Sequence, residues 1–269
     1  RDFCLSRGLG DVYKRQVVGL LWGVALLNYM DRQMLSTMRD AMAVDITELQ
    51  SAANFGRLMG VFLWIYGCMS PIAGMVGDRM NRKWLIVGSL FVWSAVTYLM
   101  GIADTYNEVF FLRALMGISE ALYIPAGLSL IADYHSDKSR SLAIGIHMTG
   151  LYTGQALGGF GATIAGAYSW ETTFHWFGII GIAYSLVLIL FLKEKKDHTV
   201  AKLDSEPGPK ESPVKAAIKG MGMLFVNISF WIILLYFATS SLPGWATKNW
   251  LPTLFSENLS IDMSEAGPL

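Results

Sequence analysis

Ten residues between two long apolar blocks decide the fold of this chain, and they read GMVGDRMNRK at positions 74–83. A glycine at Gly77 lets the end of one helix approach its neighbour closely. Asp78 is placed to pair with a base or to cap a helix, and Arg82 is placed to bind an acid on another loop. An ordinary basic turn between membrane spans accounts for the cationic residues but not for the Gly77-Asp78 pair. The stretch therefore predicts a structured connection between two helices.

The sequence on both sides of this stretch is apolar in long blocks, unlike the periods of two or 3.6 that globular proteins show. Of the 269 residues, 53% are hydrophobic and 16% are charged. Each block has about the length that crosses a hydrocarbon core roughly 30 Å thick. We therefore predict an all-α, polytopic membrane protein embedded in the lipid bilayer. The seven predicted spans lie at about residues 17–38, 54–77, 84–103, 108–131, 141–164, 172–192 and 222–243.

Basic residues concentrate in alternate connections between these spans. Arg79, Arg82 and Lys83 follow the second span, Lys138 and Arg140 follow the fourth, and the connection after the sixth is rich in lysine. Positively charged loops stay on the cytoplasmic side of a membrane. We therefore predict a multi-pass protein of the cell inner membrane with a cytoplasmic N-terminus.

The two ends of the sequence differ from its apolar middle. Residues 1–16 have mixed charge and no signal-peptide pattern, and we expect them to be non-native, a translated sequencing adaptor. Residues 17–192 hold six spans, and residues 193–221, with prolines among Lys and Glu, are predicted to form a cytoplasmic linker. Residues 222–269 are predicted to hold the seventh span and a periplasmic loop that ends at the start of an eighth. We therefore expect a fragment that lacks the C-terminal half of its protein.

Small residues recur inside the fifth predicted span. Helices in lipid associate by close packing rather than by apolar burial, so a stripe of small residues indicates a helix contact. The flanking Leu, Ala and Phe residues argue against the alternative of a flexible loop. We predict close packing along the face formed by Gly150, Gly154, Gly158, Gly159 and Gly161.

Four ionisable residues lie inside two of the predicted spans, Asp31 and Arg32 in the first and Arg113 and Glu120 in the fourth. A charge near the bilayer centre costs roughly 2.5–3.5 kcal/mol on insertion scales, so such groups normally face a partner or a water-filled cavity. Spacings of four and three residues place Arg113, Gly117 and Glu120 along one helix face. The sequence therefore predicts two polar helix faces whose charges are balanced either by each other or by a ligand.

Two interpretations of these charges stay open. In the structural one, the charges form ion pairs that only hold helices together. In the functional one, a carboxylate exchanges a proton and an arginine holds an anion, since the guanidinium fork matches a carboxylate or a phosphate. We favour the functional interpretation because each of the two spans supplies both an arginine and an acid. Asn28 and Tyr29 belong to the same group as Asp31 and Arg32.

Other polar residues are weaker candidates, and several functional classes are excluded. Tyr123, His147 and Gln155 either line the same cavity or bind one helix to another. The four histidines and two cysteines show no metal-site spacing, and the formal net charge of zero gives no reason to expect a nucleic-acid partner. Nucleophile elbows, phosphate-binding loops and zinc-protease motifs are missing from the sequence. We therefore predict that the protein is not an enzyme and uses no metal or cofactor.

The stretch at positions 74–83 resembles the loop signature of the major facilitator superfamily, glycine-x-x-x-aspartate-arginine-x-glycine-arginine-arginine. Asn81 replaces the second glycine, a mild departure because Asn also tolerates left-handed backbone. Two further segments, NYMDR at 28–32 and RALMGISEA at 113–121, resemble the anion:cation symporter branch, which takes up sugar acids and related organic anions. They also resemble the spinster-like branch. The resemblance runs from about Val17 to the end of the chain.

This resemblance implies a fold of two six-helix bundles. The chain would supply the first bundle, built from two inverted three-helix repeats, and the opening helix of the second. In such a repeat the first and fourth spans occupy equivalent places beside a central path. The four charged residues lie on those two spans. The spans were assigned from hydropathy alone, so this agreement with the repeat is independent of that assignment.

The resemblance also implies roles for individual residues. Asp31 and Glu120 would be the proton-coupling carboxylates, and Arg32 and Arg113 would organise them or contact the anion. The implied substrate-binding group is completed by Asn28, Tyr29, Tyr123, His147 and Gln155.

A cytoplasmic gate is implied as well, and part of its partners would come from the missing half. Two of its members flank the connection between the fourth and fifth spans and are placed to pair across to the Asp78 loop. The implied gate consists of Gly77, Asp78, Arg82, Lys83, Asp133 and Arg140.

The function predicted from these features is secondary active transport of a small organic anion by proton-coupled symport and alternating access. Sodium in place of protons stays open as the driving ion. One alternative is a spinster-like carrier of a lipid or another substrate. A second is a membrane receptor or scaffold that transports nothing.

Overall fold

The computed structural model describes residues 2–77, 80–194 and 222–268, with side chains from Val12 onward. Within these ranges the regular structure is helical and no strand is present. The all-α prediction is therefore confirmed. The chain divides into two compact units, one of residues 1–194 with 252–269 and one of residues 195–251.

The first unit contains helices at the positions of the six spans that the sequence predicted before the linker. The fourth span is formed by α5 and α6, and the fifth by α7 and α8. Helix α1 also runs through residues 2–16, which the sequence analysis set apart from the first span. The helices are α1 (Asp2–Thr37), α2 (Arg39–Asp45), α3 (Ala52–Gly77), α4 (Arg82–Met100), α5 (Tyr106–Ala121), α6 (Tyr123–Tyr134), α7 (Asp137–Gly158), α8 (Gly161–Ala167) and α9 (Trp170–Phe191).

Five helical stretches of the described residues are long and apolar enough to cross a membrane. They correspond to α3, α4, α5 with α6, α9, and the helix of the seventh predicted span. Helices α1 and α7 are not among them, and both hold polar side chains within their apolar runs, such as Asp31 and Arg32 in α1 and His147 and Gln155 in α7. Buried charged residues are not confined to such helices, since α5 holds Arg113 and Glu120.

Helix α10 (Ile228–Leu259) corresponds to the seventh predicted span and is longer than predicted. The sequence indicated an apolar block at 222–243 followed by a loop. The helix instead continues through residues 244–259, and the short helix α11 (Met263–Ala266) follows it. The prediction was wrong here because a fall in hydropathy marks the edge of the hydrocarbon core, whereas backbone hydrogen bonding continues beyond that edge.

The helix of the fourth span is interrupted at Leu122, between α5 and α6. Pro125 lies in the first turn of α6 and lacks the N–H that would donate to the carbonyl of Ala121. The break follows Glu120 directly, so the charged face of the span belongs to α5 alone.

Asn81 begins α4, and its backbone is not left-handed. Its φ is −59°, and its Oδ1 accepts a hydrogen bond from the N–H of Trp84 at 3.2 Å. The expectation of left-handed tolerance was therefore wrong. Asn81 serves as an N-cap, a role for which Asn is among the preferred residues.

The glycines of α7 pack against the backbone of α1. An added Cβ at Gly150 would lie 2.6 Å from the carbonyl oxygen of Trp22, and an added Cβ at Gly154 would overlap the carbonyl of Leu26. Since real Cβ atoms do not approach other atoms so closely, only glycine fits at these positions. The predicted close packing is confirmed here.

Two glycines near the end of this face make different contacts. A Cβ at Gly161, in α8, would lie 2.7 Å from the Oγ1 of Thr37, which continues the contact with α1. A Cβ at Gly159 would instead lie 2.6 Å from the carbonyl oxygen of Gly267. Gly159 therefore does not belong to the α1-facing stripe with which the sequence grouped it.

Helices α3 and α5 also approach closely. A Cβ at Gly117 would lie 2.9 Å from the carbonyl oxygen of Phe62 and 3.3 Å from the Cβ of Ile65. The backbone of α3 thus contacts α5 one turn after Arg113 and one turn before Glu120.

Candidate functional site

The charged residues of the first and fourth predicted spans meet inside the first unit. Asp31, Arg113 and Glu120 are buried, with exposed fractions of 6%, 3% and 0%. Arg113 interacts electrostatically with Glu120, Arg32 and Asp31. The four side chains form one cluster with two cations and two acids.

The ion pair in this cluster joins α1 to α5. The Nε of Arg32 donates to the Oε2 of Glu120 at 2.7 Å. Glu120 is fully enclosed, and its second oxygen has no hydrogen-bond partner among the described residues. Removal of Arg32 alone would leave the enclosed charge of Glu120 uncompensated. The loss of one partner of a buried ion pair strongly destabilises a protein for this reason.

Asp31 has a different partner, on a third helix. The Oγ1 of Thr97, in α4, lies 3.1 Å from the Oδ2 of Asp31 and 3.0 Å from the carbonyl oxygen of Trp93. A hydroxyl has one proton, so the carboxylate and the carbonyl compete for it. Sequence reasoning missed Thr97, because a threonine in an apolar span gives no signal of its own.

Arg113 forms no ion pair with a carboxylate in the part of the chain that the structure describes. Its Nη1 lies 3.1 Å from the Sδ of Met116, a weak acceptor, and its Nε has no partner. A buried guanidinium normally pairs with an acid. Arg113 therefore differs from Arg32, although the same role was predicted for both arginines from the sequence.

Three aromatic rings of α1 and α3 lie against the guanidinium group of Arg32, and one of them also lies against that of Arg113. The Cζ of Arg32 lies 4.7 Å from the ring centroid of Phe62, 4.8 Å from that of Tyr29 and 5.1 Å from that of Tyr66. The Cζ of Arg113 lies 4.5 Å from the same Phe62 centroid. All of these distances fall in the range of cation–π attraction.

Phe62 and Tyr66 were missed by sequence reasoning. Their spacing of four residues places them on one face of α3. That spacing is the available signal, but any buried apolar helix shows it too. Only the position of α3 beside α5 identifies the face as part of the charged cluster.

The other residues of the predicted substrate-binding group lie in different surroundings. Asn28 is fully buried, and neither atom of its amide has a hydrogen-bond partner among the residues described. Tyr123 is also fully buried, but its hydroxyl donates to the carbonyl of Leu21 at 2.9 Å. His147 is buried with its ring 6.0 Å from that of Tyr123, and Gln155 is half-buried. The bond to Leu21 fits the helix-binding alternative for Tyr123.

Three of the predicted gate residues lie at the start of α4 and at the end of α6. Arg82 pairs with Asp133, and its Nη1 also donates to the carbonyl of Ser129 at 3.1 Å. The Nζ of Lys83 donates to the carbonyl of Ile189 at 2.8 Å, which ties α4 to α9. The connection before α4 is thus held to two neighbouring helices of the same unit.

The remaining gate residues do not join this group. Arg140 pairs with Asp137 of its own helix at 3.2 Å, on the surface. Gly77 is the last residue of α3, and no atom of the described residues lies within 4 Å of a Cβ added there, so the predicted close approach at Gly77 was wrong. Asp78 and residues 195–221, which include most of the predicted linker, lie outside the described residues.

The long apolar helices and the charged cluster between them define an integral membrane protein with a polar centre. Residues 21–269 match the Major Facilitator Superfamily, and the chain belongs to this family. The predicted family and fold class are therefore confirmed.

Three comparisons illustrate the relationship. The chain is 26% identical to the hexuronate transporter of Bacillus subtilis (strain 168), over 84% of this chain and 55% of that protein. It is 29% identical to protein spinster homolog 1 of Rattus norvegicus, over 89% of this chain and 46% of that protein. The crystal structure of a bacterial homologue of the human lysosomal transporter Spinster, inward-facing and unoccupied, matches with a TM-score of 0.75. That match has 24% identity and covers 95% of this chain and 58% of that one.

The chain spans about half the length of the curated relatives that it matches. These relatives and the family are transporters rather than enzymes, in agreement with the prediction that the protein is not an enzyme. The similarity to the Spinster homologue supports the fold alone.

Proposed function

We propose that this chain forms the N-terminal part of a secondary active transporter that carries an organic anion, a sugar acid or related carboxylate, in symport with protons. The observation that carries this proposal is the buried guanidinium of Arg113, which has no acid partner among the described residues. A cation in that position is ready to receive an anion from outside the protein.

Unpartnered polar atoms on α1 and α5 support a carboxylate that also carries hydroxyl groups. They are the Nε of Arg113, the Nη2 of Arg32 and both amide atoms of Asn28. Leaving a buried donor or acceptor unsatisfied costs about 1–3 kcal/mol, so a ligand that meets these atoms recovers that cost. The guanidinium groups match a carboxylate, and the Asn28 amide matches a hydroxyl.

Charge balance supports the coupling to protons. The cluster holds two cations, Arg32 and Arg113, and two acids, Asp31 and Glu120. A bound monoanion would leave it with one excess negative charge at a depth where an unbalanced charge is costly. Protonation of one acid restores neutrality, so one proton per monoanion is the expected minimum.

Glu120 is the better placed of the two acids to exchange the coupling proton. Its carboxylate holds Arg32 at 2.7 Å, and protonation would weaken this charged hydrogen bond. Arg32 would then turn its unpartnered Nη2 and its charge toward the anion. Loss of the α1–α5 ion pair would also let the helices shift between outward-open and inward-open states.

The remaining features of the proposal follow the family pattern. The protein would lie in the cell inner membrane with its N-terminus in the cytoplasm, and would work by alternating access with its C-terminal half. Arg82 and Asp133 would belong to the cytoplasmic gate. No cofactor is required, because a proton gradient, or a sodium gradient in its place, would supply the energy.

Uptake by the full-length protein in proteoliposomes tests the proposal. Labelled glucuronate or galacturonate is offered with an inward proton gradient, with an inward sodium gradient or with neither, and aldonates and sialic acid serve as competitors. We expect accumulation against the anion gradient only when protons flow inward. Accumulation driven only by the sodium gradient would show that sodium, and not the proton, is the coupling ion. The absence of any sugar-acid uptake would contradict the proposal.

A spinster-like carrier is the second candidate, and the 29% identity to protein spinster homolog 1 favours it. The same proteoliposomes distinguish the two, with an excess of a lysophospholipid as the competitor. Competition by the lipid but not by sugar acids would favour the spinster-like function.

A further inference from the structure

Arg113 is held in place by an aromatic ring and a sulfur atom instead of an acid. Its guanidinium lies 4.5 Å from the centroid of Phe62 and 3.1 Å from the Sδ of Met116. Within the described residues, Phe62 is the one ring over which this guanidinium lies. Both contacts attract a cation without neutralising it.

Arg32 does not depend on Phe62 in the same way. It lies over the rings of Tyr29 and Tyr66 as well and is bonded to Glu120. Loss of the Phe62 ring would leave Arg32 with two rings and a carboxylate, but Arg113 with only a thioether. The effect of that loss would therefore fall mainly on Arg113.

The backbone fixes the position of the Phe62 ring. The carbonyl of Phe62 lies so near Gly117 that a Cβ there would come within 2.9 Å of it. Phe62 itself is 2% exposed. The ring therefore has little freedom to leave the two guanidinium groups.

Removal of the ring would let Arg113 move toward an acid. Asp31 and Glu120 both attract it electrostatically, and either would neutralise it at close range. A neutralised Arg113 no longer attracts an anion. The ring thus keeps the charge of Arg113 available to an anion, whereas Asp31 or Glu120 would otherwise neutralise it.

We infer that Phe62 is a positioning residue of the anion site, whose ring face holds Arg113 apart from Asp31 and Glu120 and so keeps it open to the carboxylate of the substrate. This inference rests on the proposed function. It differs from a simple packing role, in which the loss of the ring would lower stability and turnover but leave the affinity for the anion unchanged.

The test compares Phe62→Leu with Phe62→Tyr in the full-length protein. Leucine removes the π face and tyrosine keeps it, so the two variants separate the ring's charge interaction from its volume. Phe111→Leu is the matched control, because Phe111 lies on α5 and is 67% exposed. If Phe62→Leu does not fold, Phe62→Met takes its place, since methionine fills a similar volume without a π face.

The readouts are KM and maximal rate of glucuronate uptake and the rise in melting temperature that glucuronate causes. We expect KM in Phe62→Leu to rise about tenfold or more, as expected for loss of a desolvated cation–π contact, with the maximal rate within about twofold. Phe62→Tyr should stay within about twofold of the unsubstituted protein, and Phe111→Leu should be unchanged.

An unchanged KM in Phe62→Leu, or equal impairment of the leucine and tyrosine variants, would overturn the inference. The unsubstituted protein separates this result from a failure of the proposed function. If it neither accumulates glucuronate nor is stabilised by it, the anion proposal itself fails. If it does both, the variants decide the role of Phe62.

Discussion

The two arginines of the site have the same chemistry and different surroundings. Arg32 is bonded to Glu120 at 2.7 Å, whereas Arg113 contacts the thioether of Met116 and the ring of Phe62. Because an ion pair already satisfies Arg32, it can respond to protonation of its partner. Arg113 has no acid partner among the described residues, and we propose that it contacts the anion. The proposed mechanism therefore assigns coupling to one arginine and anion recognition to the other.

Substitution of Arg113 tests its assigned role. Lysine keeps the charge but loses the planar fork that matches a carboxylate, so we expect Arg113→Lys to raise KM for glucuronate. Loss of a charged hydrogen bond worth about 1.5–3 kcal/mol corresponds to roughly a tenfold to hundredfold increase. The concentration dependence of uptake provides the measurement, with Arg57→Lys on the exposed face of α3 as the control. An unchanged KM in Arg113→Lys would exclude Arg113 as the anion contact.

Substitution of Glu120 tests the proton step. Glutamine still accepts a hydrogen bond from Arg32 but cannot change its charge. We expect Glu120→Gln to lose accumulation driven by the proton gradient while it keeps exchange of labelled for unlabelled anion across the membrane.

Glu108→Gln is the control for this experiment. Glu108 forms a capping box with Thr105 at the start of the same helix, and glutamine preserves that role. Proton-driven accumulation that persists in Glu120→Gln would show that another group carries the coupling proton.

At the scale of helices, the packing of α7 on α1 brings backbone close to backbone. Gly150 and Gly154 allow this contact because the carbonyls of Trp22 and Leu26 occupy the space of a side chain. The contact fixes the rotation of α1 about its axis. Since Asp31 and Arg32 belong to α1, the same contact places Arg32 against Glu120 of α5 and Asp31 against Thr97 of α4.

Gly154→Ala tests this packing. The added Cβ would overlap the carbonyl of Leu26, and overpacking of this kind typically costs about 1–3 kcal/mol. We expect a lower melting temperature for the full-length protein in detergent. Gly145→Ala is the matched control on the same helix, because no atom lies within 4 Å of its added Cβ. Equal melting temperatures for the two variants would contradict the close contact.

At the scale of the whole first unit, the charged cluster and the gate pair are separate features of one bundle. Arg82 begins α4, and Asp133 lies near the end of α6. Their pair is partly buried, unlike the surface pair of Arg140 with Asp137. The proposed transporter must change these end contacts when it changes the side on which the site is open.

A double-mutant cycle on Arg82 and Asp133 tests the gate. We expect Arg82→Ala and Asp133→Ala each to slow glucuronate uptake, because each breaks the partly buried ion pair between these two residues, and the double variant to be no slower than the worse single one. The same cycle on Arg140 and Asp137 should show little effect, as exposed pairs contribute about 0–1 kcal/mol. Independent, multiplying effects at Arg82 and Asp133 would contradict a shared gate function.

Part of the fold and of the site was predictable from sequence because it depends on local composition. The apolar blocks marked the spans, and the spacing of Arg113, Gly117 and Glu120 placed them on one face of α5. Helix ends were less predictable, because α10 continues past the apolar block that marked it. Asn81 is a cap instead of a left-handed residue, since only the observed backbone reveals which role a loop asparagine takes.

The sequence by itself determined that the chain crosses a membrane and that its first and fourth spans carry charges. Span length and the cost of a charge in lipid are properties of a chain segment, independent of its neighbours. Only the tertiary structure decided that Arg32 pairs with Glu120, that Arg113 lacks an acid and that Phe62 lies against both. These relations depend on the rotation and depth of each helix, and contacts such as Gly117 against Phe62 set them.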